Sequence, residues 1–231
     1  RVQRTIEGGD APADKLRALA EGRDEAMRMG APWYALRVQF AAAPFELQRG
    51  QPARHRAILE GGIARCRELQ EHFLLCQYLG ELGWTHAIAG EDDSCRVRFA
   101  EALAVARRHG FLEHEARILR FEASLAREQG RLALAADRMA EAHRVCDVPQ
   151  AGSARLRLEL EEAKFYADLG CWDLAARSLR RLPPLIRQFP HATRSLESHK
   201  HALEAGWLGA RVAFAEGDVA RGEQLMRACC D

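Results

Sequence analysis

The sequence predicts an all-α protein in which antiparallel helix pairs stack into a solenoid of about five to six repeats. Three observations predict this fold class: a period of about forty residues, a Gly at the same place in each period, and small side chains at fixed distances from that Gly. The chain has 231 residues, of which 48% are hydrophobic, so it can bury a continuous core.

A Gly separates two helical runs in each period. Along the chain these turn residues are Gly50, Gly90, Gly130, Gly170 and Gly217. They are 40, 40, 40 and 47 residues apart. A chain that reverses within two or three residues needs a left-handed backbone conformation, which Gly adopts at the lowest cost. The longer interval contains Pro183, Pro184 and Pro190, which do not fit a regular helix, so we expect a loop insertion there.

Small side chains lie seven residues before and five residues after each turn Gly, with one exception. These positions hold Ala43, Gly83, Ala123, Ala163 and Ala210 before the turn, and His55, Cys95, Ala135, Ala175 and Gly222 after it. Small side chains allow two helices to approach to about 8 to 10 Å where they cross. A large apolar residue follows nine residues after each Gly, where it can fill the gap to the next pair: Leu59, Phe99, Met139, Leu179 and Met226.

This order of residues resembles the tetratricopeptide repeat (TPR) family, most clearly at Leu82-Gly83 and from Tyr166 to Leu179. The resemblance covers about residues 31–231 and implies a right-handed superhelix in one domain, 1–231. The repeats it implies lie at about 31–72, 73–110, 111–149, 150–192 and 193–231, after a partial repeat at about 1–30. Gly61-Gly62 departs from the pattern and predicts an interrupted helix. The period of forty residues resembles that of the longer repeats in the sensor arms of bacterial transcription regulators and diguanylate cyclases.

The resemblance places the first helix of each pair on a concave surface, so it also implies a set of binding residues. These residues are Arg37, Gln77, Trp84, Arg117, Arg120, Arg127, Arg157, Lys164, Trp207 and Arg211. Guanidinium groups can bind a carboxylate or phosphate through two hydrogen bonds, and Trp rings can anchor apolar groups. Alternatively, the Arg residues pair with neighbouring carboxylates such as Glu159, Glu161 and Glu162 and form a solvated surface.

No motif in the sequence points to catalysis. A Gly-rich phosphate loop, a Gly-x-Ser-x-Gly elbow and a His-Glu-x-x-His pair are all missing. We therefore predict a non-enzymatic regulatory module of a larger bacterial signalling protein, without a metal or cofactor. Its partner would be a protein or acidic peptide segment, or a small effector, and it could also form a homodimer. An RNA-binding repeat that uses the central Arg residues is the alternative, although a net charge of +1 argues against it.

Composition also predicts where the protein resides. The seven cysteines are an odd number at irregular spacings, which favours a reducing compartment. The longest run without a charged residue is nine residues, whereas a membrane span needs about 20. Basic residues are almost all Arg and Asn is absent, which is typical of high-GC bacterial genomes. We expect a cytoplasmic protein without membrane contact, and, because the chain begins at Arg1, a fragment of a longer protein.

Overall fold

The computed structural model describes residues 12–148, 152–188 and 196–230, and within these ranges all regular elements are α-helices. In chain order they are α1 (Pro12–Arg28), α2 (Pro32–Gln48), α3 (Pro52–Glu68), α4 (His72–Ile88), α5 (Asp92–His109), α6 (Leu112–Glu128), α7 (Leu132–Cys146), α8 (Gly152–Asp168), α9 (Trp172–Gln188), α10 (Leu196–Ala215) and α11 (Val219–Cys230). The prediction of an all-α fold is confirmed.

The helices start at intervals of twenty residues from Pro12 to Trp172. Turns within the predicted helix pairs and turns between successive pairs have the same backbone conformation. In them the first or second residue after the helix has a positive φ. The Gly residues with positive φ are Gly30, Gly50, Gly90, Gly110, Gly130, Gly170 and Gly217. Gln70, with φ of 56°, takes the corresponding place after α3. The forty-residue repeat is therefore made of two twenty-residue halves with equivalent turns.

The helices form two compact units, the first ending at Ile118 and the second beginning at Leu119, inside α6. In unit 1, helices α1 to α4 each pack against the next helix along the chain, and α2 also contacts α4. In unit 2, helices α7 to α11 follow the same pattern, and α8 also contacts α10. Contact with the next helix and the next but one is the packing pattern of a helical solenoid.

The small positions on both sides of each turn are buried where helices cross. Ala43, Ala135 and Ala175 are fully buried, and a Cβ on Gly83 would lie 2.5 Å from Cδ1 of Phe99. His55, the exception in the sequence, is also fully buried. Its Nδ1 lies 2.9 Å from the carbonyl oxygen of Ala43 and its Nε2 lies 3.0 Å from Oγ1 of Thr85. Hydrogen bonds therefore let a polar ring occupy a position that elsewhere holds a small residue.

Two local predictions are wrong. The expected loop at Pro183 and Pro184 is helical, because α9 continues to Gln188. Each Pro removes one backbone hydrogen bond, but the buried side chains of Leu182 and Leu185 anchor this end of the helix. Pro190 lies outside the described residues.

The predicted interruption at Gly61-Gly62 is absent, since α3 continues through both residues. Gly62 is buried directly against the ring of Tyr78, where a side chain would collide with that ring. The Tyr78 hydroxyl donates a hydrogen bond of 2.7 Å to the carbonyl oxygen of Leu36. Gly62 therefore makes room for the buried Tyr78, which links α4 to α2. Helix α3 remains regular despite the conformational freedom of Gly62.

Candidate binding site on the first helices

In unit 1 the first helices of two pairs, α2 and α4, lie side by side. The rings of Phe40 and Tyr78 pack edge to face with their centroids 5.0 Å apart, and the hydrogen bond from Tyr78 to Leu36 holds the same two helices together. Because the turns are forty residues apart, equivalent side chains of α2 and α4 have the same position along their helices. These contacts fix the spacing of the two exposed faces.

The exposed sides of α2 and α4 carry mostly apolar and aromatic residues. We call this surface the unit-1 face and define it by Trp33, Arg37, Phe40, Pro44 and Leu47 of α2 and Phe73, Gln77, Trp84 and Ile88 of α4. Trp33, Leu47, Phe73 and Ile88 are exposed large apolar residues, and Ile88 reaches 71% exposure. The residues of the unit-1 face follow one another at intervals of three, four or seven residues, which puts them on one side of each helix. The face can bury apolar surface of a partner.

The predicted binding residues of unit 1 differ in exposure. Arg37 is exposed on α2, whereas Gln77 and Trp84 are partly buried on α4. Arg117, on α6, is also partly buried, and its Nη2 donates a hydrogen bond of 2.6 Å to Oε2 of Glu81. This carboxylate lies 36 residues earlier in the chain, on α4. The guanidinium of Arg117 therefore has an internal partner, while Arg37 is exposed on the unit-1 face.

The first helices of unit 2 carry a network of charged side chains instead. We call it the unit-2 network and define it by Arg120, Arg127 and Glu128 of α6, Glu161, Lys164 and Asp168 of α8, and Glu204 and Arg211 of α10. Four cations and four carboxylates balance in this set. Arg157, also predicted as a binding residue, is partly buried on α8.

Glu161 is the most buried carboxylate of the unit-2 network, at 6% exposure. Oγ of Ser124 donates a hydrogen bond of 2.7 Å to its Oε1. Nη2 of Arg127 lies 3.5 Å from the same oxygen, and Nζ of Lys164 lies 3.7 Å from Oε2. Nη1 of Arg120 is 4.0 Å from Oε2. Several donors thus compensate for the burial of this charge.

The outer part of the unit-2 network contains an aromatic pair. The guanidinium of Arg211 lies over the rings of Trp207 and Trp172, at 4.8 and 5.6 Å from their centroids, and 3.6 Å from Oδ1 of Asp168. Arg127 donates a hydrogen bond of 2.8 Å to the other oxygen of Asp168. Trp207 remains 48% exposed, so it can still contact a partner.

Unit 1 also holds a cluster of aromatic and histidine rings that does not follow from the sequence pattern. His72 stacks on His109 with centroids 4.1 Å apart, and Phe73 packs against both Phe111 and His114. His114 is buried, and its Nε2 has no hydrogen-bond partner. Burial, assisted by the positive charge of Arg117, lowers the pKa of His114 from 6.5 to about 4. This imidazole is therefore neutral at pH 7.

A second charged cluster joins helices α7, α8 and α9 on the other side of α8. Nη1 of Arg181 lies 3.1 Å from Oε2 of Glu159 and 3.3 Å from Oε2 of Glu162, and Oγ of Ser178 donates a hydrogen bond of 2.7 Å to Glu162. Burial raises the pKa of Glu162, but the contacts with His143 and Ser178 outweigh this effect, so the pKa is lowered. The cluster ties neighbouring helices together, and the lowered pKa of Glu162 leaves its carboxylate ionised at neutral pH.

Two features are absent from the part of the chain that the structure describes. Within residues 12–148, 152–188 and 196–230, no group of three or more His, Cys, Asp or Glu side chains is placed to hold a metal ion. Among the helices of the same ranges, none has both the length and the apolar character that crossing a membrane requires.

Comparison with known proteins establishes the fold. No protein-family model matches the sequence, and a search of curated proteins finds no match. Among solved structures, BtubC (BKLC) from P. vanneervenii aligns with a TM-score of 0.67 over 95% of this chain and 90% of that chain, at 17% identity. The fold is TPR-like.

A second solved structure consists of TPR-like repeats. This protein from Podosopora anserina is described as a kinesin light chain with nearly identical TPR-like repeats, and it aligns with a TM-score of 0.52 at 17% identity, over 84% of this chain and 92% of that chain. A variant of the same protein gives a TM-score of 0.53 with the same identity and coverage. At this level of identity the likeness establishes a TPR-like fold alone.

Proposed function

We propose that this protein is a non-enzymatic scaffold that binds an extended segment of a partner protein on the unit-1 face. The observation that carries the proposal is the alignment of exposed apolar side chains on two adjacent first helices, with Trp33 and Leu47 on α2 and Phe73 and Ile88 on α4. Large exposed apolar patches on soluble proteins often mark interaction sites, and stacked helical repeats supply long surfaces for them. In this proposal the scaffold is a regulatory arm of a cytoplasmic bacterial signalling protein.

The chemistry of the unit-1 face suggests the chemistry of the segment. Apolar side chains of the partner would cover Leu47, Phe73 and Ile88, which are exposed in the free protein. Arg37 is the exposed cation on this surface, so a carboxylate of the partner would pair with it. The proposed ligand is thus an apolar segment that contains an acidic residue, in line with the acidic peptide predicted from the sequence.

The predicted residues of unit 2 form a second, weaker contact region in this proposal. Trp207 is half exposed and can anchor an apolar group, with Arg211 beside it. Arg120, Arg127 and Lys164 face carboxylates of the same chain, and an incoming carboxylate or phosphate would meet those negative charges. Repulsion of this kind disfavours RNA more than a mostly apolar protein segment, so the observations support protein binding over the RNA alternative.

The test is selection of peptides from a random twelve-residue library on the intact chain, followed by titration of the best binders. We expect apolar peptides with an acidic residue, and a loss of affinity of at least about tenfold in Ile88→Asp, because a charge would enter an apolar contact. Val97→Asp is the matched control, since Val97 is equally an exposed apolar residue but lies on α5, a second helix.

Two outcomes would contradict the proposal. One is that the library yields no binder with saturable affinity. The other is that the two variants lose affinity equally, which would place the peptide elsewhere on the molecule. Arg37→Glu adds a charge test: it should weaken binding of the acidic peptides and favour peptides with a basic residue at the same place.

A further inference from the structure

Unit 1 contains a cavity between α1, α2 and α3 that is separate from the unit-1 face. Its volume is about 360 Å³, within the range of roughly 300 to 1,000 Å³ that is typical of small-molecule pockets. Leu16 and Leu19 of α1, Val38 of α2 and Ile58 of α3 supply apolar walls. Glu46 and Arg49, both on α2, supply polar groups.

The cavity lies on the opposite side of α2 from the unit-1 face. A helix turns about 100° per residue, so the cavity residues Val38, Glu46 and Arg49 are directed about 100° to 180° away from Arg37 and Pro44. Occupation of the cavity therefore leaves the proposed peptide surface uncovered. A ligand here would be additional to the partner segment and would not compete with it for the same side chains.

Glu46 is the feature that indicates a ligand. The residue is only 8% exposed, and its Oε2 is buried without a hydrogen-bond partner. The cation paired with it is Arg49, whose Nη1 lies 3.7 Å from that oxygen, beyond hydrogen-bond distance. A buried carboxylate oxygen without a donor is costly, so a ligand that brings a positively charged donor to it gains binding energy.

The other charged residues of the cavity wall each have an exposed ion-pair partner on the same helix. Arg17 pairs with Asp14 at 3.5 Å, and Arg23 donates a hydrogen bond of 2.8 Å to Asp24. Glu46 and Arg49 remain as the pair that can exchange partners. A simple anion would be repelled by Glu46, and a simple amine would leave Arg49 without its carboxylate, so the pair favours a molecule with both charges.

We propose that this cavity binds a free apolar α-amino acid. Its ammonium group would donate a hydrogen bond to Glu46, its carboxylate would accept from Arg49, and its side chain would lie between Leu16, Leu19, Val38 and Ile58. The ammonium and carboxylate groups of an α-amino acid are attached to one carbon, which suits two protein charges only 3.7 Å apart. The apolar walls select against charged side chains.

The test begins with isothermal titration of the intact chain with L-leucine and L-phenylalanine. We expect saturable binding of at least one of them, and binding about tenfold or more weaker for its amide and for its N-acetyl derivative, because each lacks one of the two charges. L-aspartate, which has both charges but an anionic side chain, should not bind. Absence of saturable binding by any apolar amino acid overturns the proposal.

Three variants locate the site. Glu46→Gln should weaken leucine binding by about tenfold or more, because the charge-assisted hydrogen bond is lost. Ala42→Leu fills the cavity without changing a charge, so it should abolish binding while the thermal midpoint and helix content remain, which covers the case in which Glu46→Gln fails to fold. Glu60→Gln, at an exposed position of α3, should bind as the wild type does. Unchanged affinity in a folded Ala42→Leu variant overturns the assignment.

Discussion

The first helices of the two units use the same repeat positions for different purposes. Two residues before the turn Gly, unit 1 has the exposed Ile88 and unit 2 has Asp168, which accepts a hydrogen bond from Arg127. Six residues before it, unit 1 has Trp84 and unit 2 has Lys164, which pairs with Glu204 at 3.1 Å. The repeat determines where a side chain lies. The chemistry of that side chain determines whether it pairs within the protein or is available to a partner.

The residues that determine the fold and the residues that are available for binding occupy different positions of the repeat. Helix crossings depend on the small residues around each turn, and these are buried in both units. The exposed side of the first helix is under no such constraint, so it can present apolar side chains on α2 and α4 of unit 1 and internally paired charges on α6 and α8 of unit 2. We expect substitutions to have different consequences on these two surfaces, and the following predictions are arranged from the largest effect to the smallest.

Glu161→Ala should lower the free energy of unfolding by about 3 kcal/mol, because Arg120, Arg127 and Lys164 would lose a buried carboxylate. Urea denaturation followed by circular dichroism measures the change. Glu128→Ala is the matched control, since Glu128 is an exposed partner of Arg127, and it should cost no more than about 0.5 kcal/mol. Equal small effects would contradict the prediction that Glu161 is the buried centre of the unit-2 network.

Acidification should destabilise unit 1 through His114. Its folded-state pKa is about 4 against 6.5 for the ordinary group, so the unfolded state takes up a proton first as the pH falls below 6.5. The stability contributed by the neutral ring is complete above pH 6.5 and lost toward pH 4, with roughly 2 kcal/mol gone at pH 5. Urea midpoints at pH 7.5 and 5 should differ less in His114→Leu; an unchanged difference would contradict the prediction.

Gly62→Ala should lower the free energy of unfolding by about 2 kcal/mol, because its Cβ would collide with the buried ring of Tyr78. Gly61→Ala is the matched control in the same helix, as a Cβ there meets open space. It should raise stability by about 0.5 kcal/mol, since Ala favours the helix more than Gly does. Effects of the same sign in both variants would contradict the close contact between α3 and α4.

Ile88→Ser should change the free energy of unfolding by less than about 0.5 kcal/mol, because the side chain is mostly exposed and contributes little to the core. The same variant should weaken binding of selected peptides, so stability and affinity are measured on one protein sample. A large loss of stability would mean that the unit-1 face is structural, and the comparison between the unit-1 face and the unit-2 network would then fail.

The helix pairs and their turns could be predicted because the rules behind them are local. A Gly in the left-handed conformation and small residues at fixed offsets are visible in the sequence, and the structure confirms the helices they predict. The twenty-residue half-period was missed because Gln70 takes the place of a turn Gly after α3. Pro183 and Pro184 were wrongly assigned to a loop because local propensity ignores the burial of Leu182 and Leu185.

The ion pairs of the candidate site could be predicted only in part. The sequence indicates Glu161 as a neighbour for the Arg residues, but it does not indicate Glu81, which pairs with Arg117 across 36 residues. Such pairs depend on which helices lie together and on the reach of long side chains, and neither follows from spacing along one helix. The cavity around Glu46 could not be predicted from the sequence, because its walls come from three different helices, α1, α2 and α3.

Helices that start at equal intervals and are joined by equivalent turns also determine how this part of the chain would lengthen under tension. From Pro12 to Trp172 each helix and its turn occupy twenty residues. An extended residue spans roughly 3.5 Å, so a helix pulled out of the stack would release about 7 nm of chain and a pair about 14 nm. A force trace would therefore show evenly spaced steps, and their size would tell whether one helix or a pair is the unit that yields.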